Sequence, residues 1–157
     1  MPKEPAIRVK PPTAITKPAP VSAPTLKSIE RLHVQIAAAE KFLRKLPGSR
    51  HVDTRVSLND IFPIHPEDNN DFGSTLEYCG NGEESGICVC FQYLNTSNGE
   101  VETSHKRIDS FPTITRIALA RRIPELIQLS REAEGKVAME ADEAADSIEQ
   151  AIAELGG

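Results

Sequence analysis

At 157 residues and a formal net charge of −5, the chain has room for one domain with appendages, and its acidity argues against general affinity for nucleic acid. It lacks both the apolar run of about 18 residues that a transmembrane helix requires and the apolar N-terminal stretch of a secretory signal. Three cysteines are an odd set for a secreted disulfide framework, so a cytoplasmic protein with no membrane contact is expected.

Seven of the 12 prolines fall before residue 25, where Ile7, Val9, Ile15 and Val21 are the scattered larger apolar residues. Such a segment cannot bury enough surface to offset its ordering entropy, so residues 1–24 are read as a disordered, Pro-rich leader. Residues 25–134 are expected to form an α+β domain, and residues 135–157 an acidic, Ala-rich helical arm.

The first ordered element is a helix over 26–46, with Thr25 as N-cap and Pro47-Gly48 as the stop. Along it Ile29, Leu32, Ile36, Ala39, Leu43 and Leu46 alternate spacings of three and four, a heptad-like stripe. His33, beside that seam with no second ligand one turn away, reads as a boundary histidine. Residues 49–74 are broken by Pro63, Pro66 and Gly73, leaving one short strand at 54–58 and a loop whose Ile61, Phe62 and Ile64 tuck onto the core.

Three strand-like runs follow, at 75–79, 87–94 and 100–108, joined by Gly80-Asn-Gly-Glu-Glu-Ser-Gly86 and by Asn95-Thr-Ser-Asn-Gly99. They predict an antiparallel meander. Alternation puts Ile87, Val89, Phe91 and Tyr93 on the core face with Leu76 and Tyr78, and all three cysteines on the other. Matching apolar to apolar sets Leu76 opposite Phe91, Tyr78 opposite Val89 and Cys79 opposite Cys88. A two-residue Asn98-Gly99 turn sends Ile108 to the core face and His105 to the cysteine face; a three-residue loop reverses both. The first is preferred because it buries Ile108.

From Pro112 the chain reads as helix to Ile123, with a kink or break at Pro124 and a resumption through Leu126, Ile127 and Leu129. Gly135 weakens that helix by about 1 kcal/mol relative to Ala. Beyond it Val137, Ala141, Ala144, Ile148, Ala151 and Leu155 form a second heptad seam, and residues 132–154 hold eight acids and one lysine. The two seams are expected to pair, with each other or across a dimer.

Chemistry has few footholds. Cys79, Cys88, Cys90 and His105 would make a Cys3His zinc set, but alternate residues on a flat strand stand about 7 Å apart, awkward for two thiolates on one ion. Buried reduced thiols, with neither metal nor disulfide, are the reading taken. No phosphate loop, nucleophile elbow or His-Glu-x-x-His occurs, so neither an enzyme nor a cofactor is expected.

Lys106, Arg107, Arg116, Arg121 and Arg122 form a basic cluster facing the acidic arm in the charge pattern. The order helix, three strands, helix is similar to that of double-stranded-RNA-binding domains. Here Phe111-Pro-Thr-Ile-Thr-Arg116 stands where such domains place lysines, so the likeness is one of topology. The expected function is non-enzymatic binding of a protein partner, as adaptor, inhibitor or regulator. The basic cluster and Ile148 and Leu155 of the arm are the expected contacts, and a homodimer is one form of that association. Nucleic-acid binding through residues 106–122 is the alternative; an unrecognised enzyme is the third reading.

Overall fold

The structure is a computed structural model that describes residues 22–46, 54–65, 67, 69–80 and 85–156. Residues 1–21 of the expected leader lie outside the described residues. Helix α1 spans Ala23–Arg44, three residues ahead of the expected start. Pro24 sits in its first turn, where no intrahelical donor is needed, and Ser22 rather than Thr25 takes the cap position. The two hydroxyls bond each other at 2.8 Å instead of capping a backbone N–H. Lys41 and Arg44 in the last turn suit the negative end of the helix dipole.

Four antiparallel strands follow in the order β1 (Val56–Ser57), β2 (Asp71–Cys79), β3 (Gly86–Asn95) and β4 (Glu100–Arg107). The register differs from expectation by two residues. Leu76 pairs with Val89, Tyr78 with Ile87 and Glu77 with Cys88, while Cys79 faces Gly86. A slip of two leaves every side chain on its predicted face, so the apolar pattern alone does not oppose it. A bulge at Phe72 starts β2: Asp71 pairs with Tyr93 but Gly73 with Gln92. Gly73 has φ +99, and a β-carbon there would stand 2.7 Å from Asn59 Oδ1, so glycine serves both the backbone and the close approach.

The β3–β4 connection has four residues between the paired Asn95 and Glu100, not two. Asn95 Oδ1 accepts from Ser97 N at 2.9 Å and Gly99 N donates to the Asn95 carbonyl at 2.8 Å, which holds the longer loop. Two and four share parity, so Ile108 still reaches the core and His105 the cysteine face.

Ile108–Ser110 form a 3-10 turn, then α2 runs Thr113–Ala120 and α3 Ile123–Gly156. The break falls at Arg121-Arg122, ahead of Pro124, which occupies the first turn of the new helix and needs no donor there. Gly135 does not interrupt α3, whose 34 residues make a rod of about 51 Å.

All helices pack on one face of the sheet. Ile36 and Leu43 of α1, Leu119 of α2 and Ile123 and Leu126 of α3 share one core with Val56, Leu58, Leu76, Ile87, Val89, Ile108 and Phe111. Ile61 and Phe62 fold onto it as expected, the Phe62 ring 5.3 Å from that of Phe91 and 5.7 Å from that of Phe111. The core ends near Ala133. Val137 is half-buried, and every residue from Ala138 to Gly156 is exposed. Within the chain the two heptad stripes therefore do not pair along the arm, because α1's stripe is spent on the sheet and the first turns of α3.

Candidate functional site

The basic cluster does not form one continuous face. Arg122 bonds both oxygens of Asp60 at 3.0 Å and Glu125 at 3.1 Å. Arg107 reaches Glu40 of α1 at 3.5 Å, Asp109 at 3.6 Å and the Ser85 carbonyl at 3.3 Å. The Lys106 ammonium stands 4.4 Å from the centre of the Phe111 ring, a cation–π contact. Arg116 donates to His33 Nε2 at 2.6 Å, while its Nε is buried with no partner among the described residues. Arg121 is exposed. Arg107 and Arg116 do share one feature, a cavity of about 330 Å3 between α1 and the 3-10 turn, lined also by His33, Glu40 and Asp109 over a floor of Ile36 and Ile108. Its two acids offset its two arginines, so it has no strong preference for charge sign.

The arm offers the opposite picture. Ile148, Ile152 and Leu155 are 61, 65 and 89% exposed and stand at i, i+4 and i+7, one stripe together with Ala141, Ala144, Ala145 and Ala151. Acids flank the stripe on both sides: Glu140, Glu143 and Glu154 on one, Asp142 and Glu149 on the other. Arg131, seven residues before Ala138, continues the Ala138–Ala145–Ile152 row into a depression of about 490 Å3 that Ile127 and Pro124 also line.

The sheet face away from the helices carries a third grouping. None of its residues belongs to the core cluster, and alternation places Thr75, Glu77, Cys79, Cys88, Cys90 and His105 on it. Glu77 is its hub. Oε1 accepts from Cys79 Sγ and from His105 Nε2, each at 3.1 Å; Oε2 accepts from Thr75 Oγ1 at 3.2 Å and lies 3.4 Å from Arg55 Nε. Cys88 instead donates to the Gly86 carbonyl at 3.6 Å.

The Cys79 thiol is held far above its ordinary range by its bond to Cys88, by burial and by the Glu77 carboxylate. Cys88 is lowered by the Cys79 bond and by the Arg107 charge, against its own burial. Burial first, then Glu77, raises Cys90. All three cysteines are free thiols. The expected Cys79, Cys88, Cys90, His105 set does not converge: Cys79 and His105 meet, and the third donor beside them is Glu77. Alternation could have found Glu77, which shares the parity of Cys79 on β2. What it could not show is that a long carboxylate folds along the strand to reach a neighbour two residues away.

No protein-family model matches the chain, and no curated protein or solved structure matches it significantly. Among the described residues no helix is long and apolar enough to cross a membrane.

Proposed function

We propose that the protein is a non-enzymatic interaction module of the cytoplasm that docks a Lys/Arg-rich amphipathic helix of another protein along its C-terminal arm. One observation carries this reading: the stripe of Ile148, Ile152 and Leu155 is presented to solvent by a helix whose every residue from 138 to 156 is exposed among the described residues. An apolar stripe on a helix is a packing surface, and a helix that needed only solubility would be polar all round. Alanine at most of the remaining seam positions lets a second helix approach closely. The flanking acids select its charge. They oppose a second copy of the arm laid beside the first, and they favour basic residues flanking the partner's seam. The three free thiols suit a reducing compartment.

The test is affinity capture with the intact chain beside the Ile148→Asp/Leu155→Asp double variant, followed by cross-linking of carboxylates to lysines in the captured complex. The reading expects a protein recovered by the intact chain alone, with cross-links from Glu140 or Glu149 to a lysine-bearing helix and capture that weakens with salt. Equal recovery by the double variant, with the sedimenting mass also unchanged, would reduce the arm to a solvated tail.

A further inference from the structure

The Glu77 hub has the form of a metal centre in its protonated state. Glu77 Oε1, Cys79 Sγ and His105 Nε2 all lie within 4.8 Å of one another, and the two separations from Oε1 are 3.1 Å each. A tetrahedral zinc ion, with bonds of about 2.0–2.3 Å, spaces its ligand atoms about 3.3–3.6 Å apart. The donors therefore stand within a few tenths of an ångström of ligand spacing at the two separations from Oε1. We propose that Glu77, Cys79 and His105 bind one zinc-class divalent ion, with solvent in the fourth position.

Three features of the fold support the assignment. First, the objection that alternate strand residues stand too far apart applies to two cysteines but not to this set. The backbones of residues 77 and 79 are about 7 Å apart, and the long Glu77 side chain closes that gap to 3.1 Å at the donor atoms. His105 arrives from β4 across Cys90 of β3, which brings a third strand to the same point. Second, the carboxylate is oriented from behind. Thr75 Oγ1 and Arg55 Nε engage Oε2 and leave Oε1 for the other two donors, the arrangement by which outer groups fix metal ligands. Third, the donors differ in burial as an accessible site needs. The Glu77 side chain is 15% exposed and that of His105 is 45%, so the ion has an approach from solvent while its carboxylate anchor stays fixed.

The donor chemistry selects the ion. A thiolate, an imidazole and one carboxylate oxygen suit zinc and its neighbours, whereas magnesium and calcium prefer shells built from oxygen alone. Binding displaces the Cys79 thiol proton to solvent, and His105 then offers the Nε2 lone pair with its proton on Nδ1. Cys88 and Cys90 are not ligands. Cys88 Sγ is directed to the Gly86 carbonyl, and Cys90 lies outside the converging set.

The experiment titrates the untagged, reduced, full-length chain with Co2+ alone, then adds Zn2+. One Co2+ per chain is expected, with a near-ultraviolet sulfur-to-cobalt charge-transfer band that Zn2+ abolishes by displacement. Cys79→Ser should eliminate the band, while Cys88→Ser and Cys90→Ser should retain it. His105→Gln, at a largely exposed position on the edge strand, should weaken binding severely with the circular dichroism spectrum unchanged, which covers the case in which Cys79→Ser fails to fold. Thr75→Val should weaken affinity by about 10- to 100-fold, through orientation of the carboxylate alone. Absence of the band at excess Co2+ would overturn the proposal, as would a band that survives His105→Gln undiminished or disappears in Cys90→Ser. The cluster would then be a hydrogen-bonded network only.

Discussion

The Arg107 guanidinium lies over the α-carbon of Gly86: a β-carbon built on Gly86 would stand 2.8–2.9 Å from Nη2, Cζ and Nη1 alike. Glycine at this position lets the arginine tie the start of β3 to Glu40 of α1 and to the Ser85 carbonyl. Glu40 completes the tie by accepting from Ile87 N at 3.0 Å.

Gly86→Ala should act by displacing that guanidinium, since an arginine tip moves more readily than backbone. The cost should be about 1–2 kcal/mol, the size of a partly exposed charged hydrogen-bond pair, and Arg107→Ala should cost about the same. The two changes remove the same contacts, so the double variant should be scarcely worse than either single one. Denaturant unfolding of the four-member cycle checks this, and additive losses would show that Gly86 and Arg107 act separately.

The two ends of α3 should respond to truncation very differently. Leu126 is fully buried beneath the sheet, so Leu126→Ala should cost about 2–5 kcal/mol. Leu155→Ala, and even a chain ending at Met139, should leave the melting temperature within about 2 °C, because no residue beyond Ala138 is buried. Thermal unfolding followed on the near-ultraviolet signal of the tyrosines distinguishes the two. A large fall for the shortened chain would mean that the arm packs on the domain.

The fold was largely readable from alternation and helical period, because both follow from which face must be buried. The exact pairing was not. Shifting β2 against β3 by two residues keeps Leu76 and Tyr78 on the core face, so only side-chain fit and the Phe72 bulge choose between registers. The β3–β4 loop was obscured in the same way, two and four residues being equivalent by parity. The polar contacts were least visible. Arg122 finds Asp60 62 residues away and Arg116 finds His33 83 residues away, pairings that depend on how helices pack and leave no local spacing. Glu77 is inconspicuous for a like reason: cysteine and histidine announce themselves as ligands, and one glutamate among 23 acids does not.

On the outer end of the β3–β4 hairpin, Glu102 accepts from Asn95 Nδ2 at 2.5 Å and from the Tyr93 hydroxyl at 2.9 Å, and these bonds hold its carboxyl below the usual glutamate range. A depressed folded value means that the contribution is present above the unfolded value of about 4.3 and is lost as pH falls through the folded one. The same bond, with the carboxylate charge, raises the Tyr93 phenol, whose contribution is present below about 10 and lost as pH climbs through the folded value. Glu102→Gln should therefore be less stable than the parent at neutral pH and equal to it in strong acid. In the same variant the Tyr93 phenolate absorbance should appear at lower pH. Parallel stability curves across the whole acid range would contradict this.

Gly135 occupies an exposed helical position where a β-carbon would meet nothing within 4 Å. Gly135→Ala should favour the helix by about 0.5–1 kcal/mol. Because the buried part of α3 ends just before it, the gain should fall on the arm rather than on global unfolding. Amide exchange over residues 136–156 should slow by about two- to fivefold while that of β3 stays the same. Equal slowing in both segments would show that arm and domain open as one unit.

Since α3 is a single uninterrupted helix from Ile123 to Gly156, the reach and azimuth of its tip are both set by residue count. Leu155 stands about 33 Å along the axis from Ala133, the last buried residue of the helix, at 1.5 Å per residue. One residue inserted near Gly135 would turn Ile148, Ile152 and Leu155 by about 100° around the axis with scarcely any change in length. Seven inserted residues would carry them about 10 Å outward and return them to within about 20° of their starting direction. A ligand held at the tip alone would tolerate both insertions, whereas one that also touches the sheet or the depression at Ile127 would tolerate neither.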